Sequence, residues 1–241
     1  MKKTGDNISS DNANWKFSGE MVNEFESHVL KSVPIYNRGH ELILKLSDYF
    51  IKDDSTIYDI GCSTGKLLIN LIEHNKNKIN SKYIGIDLEK DMINFANKQQ
   101  EKFKINSKKL SFINDDAVTF NLGNSDYIIS FFSIQFIHPK HRQTVIDKIY
   151  KSLNWGGAFL FFEKVRYNDA RFQDIFTTLY NDYKLDMGYT PEEIINKTRS
   201  LKGVMEPFST KGNIDMLERA GFVDITTVVT DICFKGFLAI K

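Results

Sequence analysis

The sequence predicts an α/β fold, a doubly wound and mostly parallel sheet of seven strands with N-terminal helices and a helical insertion before the last strands. Three observations predict it. Short apolar runs alternate with helical patterns through the middle of the chain, the signature of repeated βα units. The run Ile57-Tyr58-Asp59-Ile60 leads into Gly61-Cys62-Ser63-Thr64-Gly65, where glycines allow a tight turn and a close backbone approach before a helix. A following strand ends Tyr83-Ile84-Gly85-Ile86-Asp87, about 20 residues past the loop, where a carboxylate can read both hydroxyls of a ribose.

Residues 1–14 are rich in Asn, Asp, Ser and Lys without apolar periodicity, and are expected to be a disordered or loosely packed tail. Residues 15–241 form a single domain. Its first part, 15–51, reads as a helical cap: Phe17, Met21, Val22, Phe25, Val29 and Leu30 fall near helical spacing from Trp15 to Ser32-Val33-Pro34. A second helix is expected from about His40 to Phe50. Strands follow near 56–60, 82–86, 110–114, 126–131 and 157–163, with helices near 65–74, 89–103 and 141–153. Asn154-Trp155-Gly156-Gly157 reads as a turn, and the apolar run Ala158-Phe159-Leu160-Phe161-Phe162 as a strand buried on both faces. Residues 168–211 carry helical patterns, expected to serve substrate recognition or dimer contact, before two late strands at about 223–229 and 232–240.

The chain has 241 residues, 41% hydrophobic, enough for one full core. A net charge of +1 with scattered Lys and Arg gives no broad electrostatic footprint for a nucleic-acid backbone, so direct nucleic-acid binding is not expected. No run is long enough for a membrane span, and the N-terminus lacks the apolar stretch of a signal peptide. Cys62 and Cys233 suggest no disulfide framework, and a cytoplasmic location is expected. The five His show no metal-ligand spacing, and no metal is expected.

The loop is G-x-x-x-G, shorter than the runs that cradle phosphates. A ligand with ribose and adenine but no phosphate suits it, which points to S-adenosylmethionine. In an open α/β sheet the ligand lies beyond the carboxyl ends of the strands. Those ends hold Asp59, Gly61, Cys62, Ser63, Asp87, Leu88, Asp116, Ala117 and Phe131. Asp116 can accept from the adenine amine while the Ala117 backbone reads the ring edge, or it is a solvated turn carboxylate. Asp59 either orders the loop or helps hold the ligand's positive amino end. Cys62 is expected as a small packing residue. In Phe131-Phe132 one ring should face the ligand, where it can attract a sulfonium, unless both are core.

These residues resemble class I S-adenosylmethionine-dependent methyltransferases, with their Rossmann-like sheet, and within them the carboxy-S-adenosylmethionine synthase family. The resemblance runs from about Trp15 to the C-terminus. It is carried by Ser32-Val33-Pro34-x-Tyr36, Tyr58-Asp59-Ile60-Gly61-Cys62-Ser63, Gln135-Phe136, Asp147-Lys148-Ile149-Tyr150, Leu153-Asn154-x-Gly156-Gly157-Ala158, Glu163-Lys164, Gly188-Tyr189 and Val204-Met205. It implies cofactor contacts at Tyr36, Gly61, Cys62, Ser63, Asp87, Leu88, Asp116 and Ala117, and a homodimer in which the late helical segment reaches a neighbouring site. The chain departs from the family at Phe131, where the family has Asn, and at Thr198, where an Arg grips the extra carboxylate. Arg199 is adjacent, but one residue on a helix turns a side chain by about 100°. Ordinary S-adenosylmethionine is therefore the expected cofactor.

The leading functional expectation is a methyltransferase acting on a small molecule, with Phe131, Tyr180 and Arg199 as candidate catalytic residues and Glu163 and Tyr189 as further groups able to orient an acceptor. Catalysis would rest on holding acceptor and methyl carbon in line and on desolvation. One alternative is a cyclase forming azetidine-2-carboxylate and methylthioadenosine from S-adenosylmethionine, which an apolar wall at Phe131 and Phe132 would favour. Others are carboxy-S-adenosylmethionine synthase itself and a non-catalytic binding module.

Overall fold

A computed structural model describes residues 1–19 and 21–241. Seven strands form one sheet: β3 (Thr56–Ile60), β4 (Lys82–Asp87), β5 (Leu110–Asn114), β6 (Ser125–Phe131), β7 (Leu153–Lys164), β8 (Asp224–Asp231) and β9 (Phe234–Ile240), in the order β5-β4-β3-β6-β7-β9-β8. β3 to β7 are parallel, and β9 runs antiparallel to both β7 and β8. The order turns back between β3 and β6, so the loops leaving these neighbours diverge and open a crevice.

Side chains alternate across the sheet and set two apolar layers. Ile57, Ala158, Leu160 and Phe162 face one layer with Ile43 of α2 (Tyr36–Phe50) and Leu67, Leu68 and Leu71 of α3 (Lys66–His74). Tyr58, Ile60, Phe159 and Phe161 face the other, with Val145, Ile146 and Ile149 of α5 (Pro139–Ser152) and Met216 and Leu217 of α8 (Thr210–Ala220). α4 (Lys90–Lys102) connects β4 to β5. The apolar run of β7 is thus buried on both faces, as the sequence implied. Its start differs from expectation: the strand begins at Leu153 and includes 154–157, with a register irregularity against β6 and Gly156 at φ 77°. The N–H of Gly156 donates to Lys241 and that of Lys241 to Gly157, so pairing with the chain end keeps this stretch extended.

The helical cap also differs from expectation. α1 spans Met21–Ser32, and α2 starts at Tyr36, directly behind the Pro34 turn. Glu20, inside the expected first helix, lies outside the described residues. Trp15 and Phe17 stand before α1: Trp15 stacks on His28 at 5.4 Å and Phe17 meets Phe136 at 4.8 Å. Residues 1–14 are not a loose tail. β1 (Lys2–Gly5) and β2 (Ile8–Ser10) form a hairpin against α7 (Pro191–Ser200), which follows α6 (Ala170–Asp186) in the insertion. Asp6 at its turn accepts from His28 Nδ1 at 2.8 Å, Lys31 Nζ at 2.6 Å and the Tyr189 hydroxyl. Burial pushes the Asp6 carboxyl up, but these three hydrogen bonds outweigh it and hold the group well below the usual carboxylate range. Burial and the Lys197 charge lower His28 to about 4.

Both shifts act in one direction. Between pH 6.5 and about 4 the unfolded chain binds a proton at His28 that the folded chain does not, and below that Asp6 adds the same deficit. The hairpin's attachment is therefore fully present above pH 6.5 and lost as pH falls. Amide exchange in residues 2–10, corrected for intrinsic rates, should accelerate from pH 7 to pH 4.5 more than exchange in β3 or β6. Equal protection at both values would show that this network does not hold the hairpin.

Candidate active site

The crevice between β3 and β6 opens into a cavity of about 1040 Å³. Gly61 makes its floor possible: its φ is 75°, and a Cβ there would stand 2.3 Å from Ser133 Cβ. Gly85 lets Cys62 pack, since a Cβ would meet the Cys62 sulfur at 2.7 Å. Cys62 is buried, and burial together with Asp87 and Asp59 pushes its thiol well up, so it fills space as expected. Ser63 and Phe132 hold left-handed backbones at φ 50° and 58°, both on the cavity wall.

Three carboxylates from separate strand ends converge on this cavity. Asp87 accepts from Ser63 N at 2.8 Å and Glu89 N at 2.9 Å, which fixes its orientation at the mouth and leaves lone pairs for a diol. Burial raises its pKa while those two N–H groups lower it. Asp59 is buried, and among the described residues its Oδ1 has no hydrogen-bond partner. Burial and the Asp87 charge push it to about 8, so a ligand cation beside it would favour its ionised form. Asp116 accepts from Val118 N at 2.8 Å, and Lys148 Nζ fastens its loop through the carbonyls of Ala117, Val118 and Phe120, each at 2.8 Å. Leu88 forms an exposed rim, 66% accessible. The glycine floor and the Asp59 carboxyl on the cavity wall fit a ligand that carries adenosine at one end and an ammonium at the other.

Beyond this acidic half the cavity turns aromatic and then basic. Phe131 and Phe132 both line it, each only partly buried. Phe131 also packs against Tyr36, His40, Phe132 and Phe162, at ring distances of 4.7–5.5 Å. The Phe131 ring thus packs in the core and lines the cavity at once. Tyr36 lines the cavity while its hydroxyl reaches Glu26. Tyr180 donates to the Ser32 carbonyl at 2.8 Å, so its ring is the part presented. Lys164 and Lys184 place their amines 4.2 and 4.4 Å from that ring's centre, and neither has a carboxylate partner among the described residues. Burial and the Lys164 charge lower Lys184 to about 8. Lys197 is buried beside them, donating to His28 Nε2 at 2.5 Å and Ser32 Oγ at 2.7 Å.

Three expected acceptor residues are not on the cavity wall. On α7, Ile194 and Lys197 turn inward, which sends Arg199, two positions on, to the exposed side; Thr198 keeps an edge of the wall. Glu163 follows Phe162 and faces the opposite layer, accepting from Gln135 N. Tyr189 is engaged with Asp6 and Ser32. The sequence reading missed His40, Lys184 and Lys197, none of which sits in a motif. Among the described residues no group of three or more His, Cys, Asp or Glu side chains could hold a metal.

Comparison with known proteins agrees with this geometry. The family described as "Methyltransferase domain" matches residues 57–157, from β3 into β7. The carboxy-S-adenosyl-L-methionine synthase of Staphylococcus epidermidis is 38% identical over 228 residues, covering 94% of this chain and 97% of that protein. That of Nautilia profundicola is 36% identical, covering 94% of each. Among solved structures, an S-adenosylmethionine-dependent methyltransferase from Aquifex aeolicus superposes with a TM-score of 0.61 at 16% identity, over 93% of this chain and 99% of that one. Human N-acetylserotonin methyltransferase, solved with S-adenosylmethionine, gives 0.60 at 18% identity, over 93% of this chain and 56% of that one. At such identities the structures speak for the fold, while the sequence relatives decide the family. The chain belongs to the carboxy-S-adenosyl-L-methionine synthase family, built on the class I methyltransferase fold.

Proposed function

We propose that the chain transfers the methyl group of S-adenosylmethionine to a small molecule that carries a negative charge. It is an S-adenosylmethionine-dependent enzyme of the transferase type. One observation carries the reading: a single cavity joins Asp87, Asp59 and Asp116 to the amines of Lys164 and Lys184, which have no carboxylate partner among the described residues, with aromatic rings between. Bound S-adenosylmethionine supplies an electrophilic methyl carbon on a sulfonium. Asp87 holds the ribose, Asp116 with Ala117 the adenine, and Tyr36, Gly61, Cys62 and Ser63 shape the rest of the cofactor's bed. Phe131 and Phe132 keep water from the reacting centre and attract the positive sulfur. Lys164 and Lys184 draw an anionic acceptor to the far side of those rings, which orients it for in-line attack.

A second reading follows from the relatives' name, synthesis of carboxy-S-adenosylmethionine. The lysines favour it as well, because they can pair an added carboxylate where Thr198 stands in place of the family's Arg. A homodimer and a cytoplasmic location belong to the same proposal. α6 leaves Phe172, Ile175 and Leu179 about half exposed on one side, at 53, 53 and 46%, and both cysteines are free and buried.

The test is product identity. Pure protein is incubated with S-adenosylmethionine alone and with a panel of small carboxylates and phosphates, and sulfur-containing products are read by mass spectrometry. S-adenosylhomocysteine formed only with an added anion is the expected result. Methylthioadenosine without any acceptor would replace methyl transfer by cyclisation, and a carboxylated sulfonium would move the assignment to the second reading.

A further inference from the structure

His40 is a buried titratable group that the proposed reaction leaves unused. It is 8% exposed and lies one helical turn after Tyr36 on α2. Its ring meets Phe131 edge-on at 4.9 Å and Tyr36 at 4.6 Å. The other buried histidine, His28, uses both nitrogens, on Asp6 and Lys197. Neither nitrogen of His40 has a partner among the described residues, and neither is sealed in, because the ring lines the cavity. A polar ring at the cavity wall with no protein partner keeps its donor and its acceptor available to a ligand. Burial also keeps the ring uncharged, lowering it to about 4 against the opposing pull of Glu26. A neutral imidazole beside a cation-binding wall offers one donor and one acceptor without repelling a sulfonium.

The sheet order says which part of the ligand lies there. Asp87 ends β4 and Asp116 follows β5, so adenosine occupies that half of the crevice. The methionyl end then lies over β3 and β6, at Asp59, Gly61 and Phe131, and α2 closes it with Tyr36 and His40. The polar groups beside them are already satisfied: Glu26 accepts from Thr64 at 2.7 Å and from Lys66 at 2.8 Å. His40 and Asp59, both on the cavity wall, are left to meet an amino acid.

We propose that His40 binds the amino-acid end of S-adenosylmethionine, its ring N–H donating to the ligand carboxylate while Asp59 faces the ammonium. The inference rests on the cofactor reading above, and three ligands separate the two. S-adenosylmethionine and S-adenosylhomocysteine share the amino-acid end, which methylthioadenosine lacks. By calorimetry, His40→Phe should weaken the first two by about ten- to 150-fold, the worth of one hydrogen bond to an ionised acceptor, and leave methylthioadenosine unchanged. His40→Gln, which keeps an N–H donor, should recover part of the loss. In the wild-type protein, which needs no variant to fold, the ring ¹⁵N shifts of His40 should move with S-adenosylhomocysteine and stay with methylthioadenosine. Equal losses for all three ligands, no loss, or unmoved ring shifts would overturn the assignment. A loss confined to S-adenosylmethionine would also overturn it, by placing the ring at the sulfonium. Wild-type protein that binds none of the three would remove the cofactor reading itself.

Discussion

Asp87→Ala should weaken S-adenosylmethionine binding by about 1.5–3 kcal/mol, the range for hydrogen bonds to an ionised acceptor, or roughly ten- to 150-fold in Kd. The carboxylate is anchored by Ser63 N and Glu89 N, so its lone pairs are aimed before the ligand arrives and little ordering is needed on binding. Alanine removes those anchors too, and the loop at Ser63, already in a left-handed backbone, loses its nearest support. Asp87→Asn separates the two effects, because it keeps a neutral acceptor in place. It should lose less affinity than alanine and little melting temperature. A second consequence follows from charge. Asp87 is one of the causes that push Asp59 to about 8, so its removal should lower the Asp59 pKa, which titration by carboxyl ¹³C shifts can follow. Calorimetry that gives Asp87→Ala the wild-type Kd would take Asp87 out of the site.

How much of this was legible beforehand depended on the distance along the chain over which each feature is decided. Strand parity is local. The run from Ala158 to Phe162 has no polar position, and the structure buries it between two layers. The Gly61 loop and Asp87 carry their geometry in their spacing, since a strand end, a tight turn and the next strand end follow one another. The N-terminal hairpin is a different case. Its residues are polar because Asp6 answers His28, Lys31 and Tyr189, and the last of these is 183 residues away. No window on residues 1–14 contains that partner. Lys184 and Lys197 were hidden for the same reason: each looks like an ordinary helical lysine until α6 and α7 fold over the crevice. Arg199 attracted attention as the nearest guanidinium to a family position, but helical phase decided against it.

Phe131→Asn, the residue the family carries at this position, should reduce turnover by about tenfold or more while changing cofactor affinity less, because the 0.5–2 kcal/mol of cation–π attraction and the exclusion of water act most on the reacting centre. The neighbourhood is built around the ring. Gly39 of α2 lies against it so closely that a Cβ there would stand 2.5 Å from the Phe131 ring, and Phe162, Phe132, Tyr36 and His40 pack around it while part of the ring lines the cavity. An Asn side chain fills less of that space and puts an amide among four aromatic rings, where its hydrogen bonds go unmet unless water enters. Water at this point is what the reaction must avoid. Phe131→Leu is the control: it stays apolar but has no π face, so it should retain the fold and the dryness and lose the cation–π share alone. The order of kcat is then wild type, Leu, Asn, with Kd for S-adenosylmethionine spread over a narrower range. Wild-type kcat in Phe131→Asn, with the same sulfur product, would mean that Phe131 serves only the packing between α2 and β7, and that the reacting centre lies against Phe132 and Tyr180 instead.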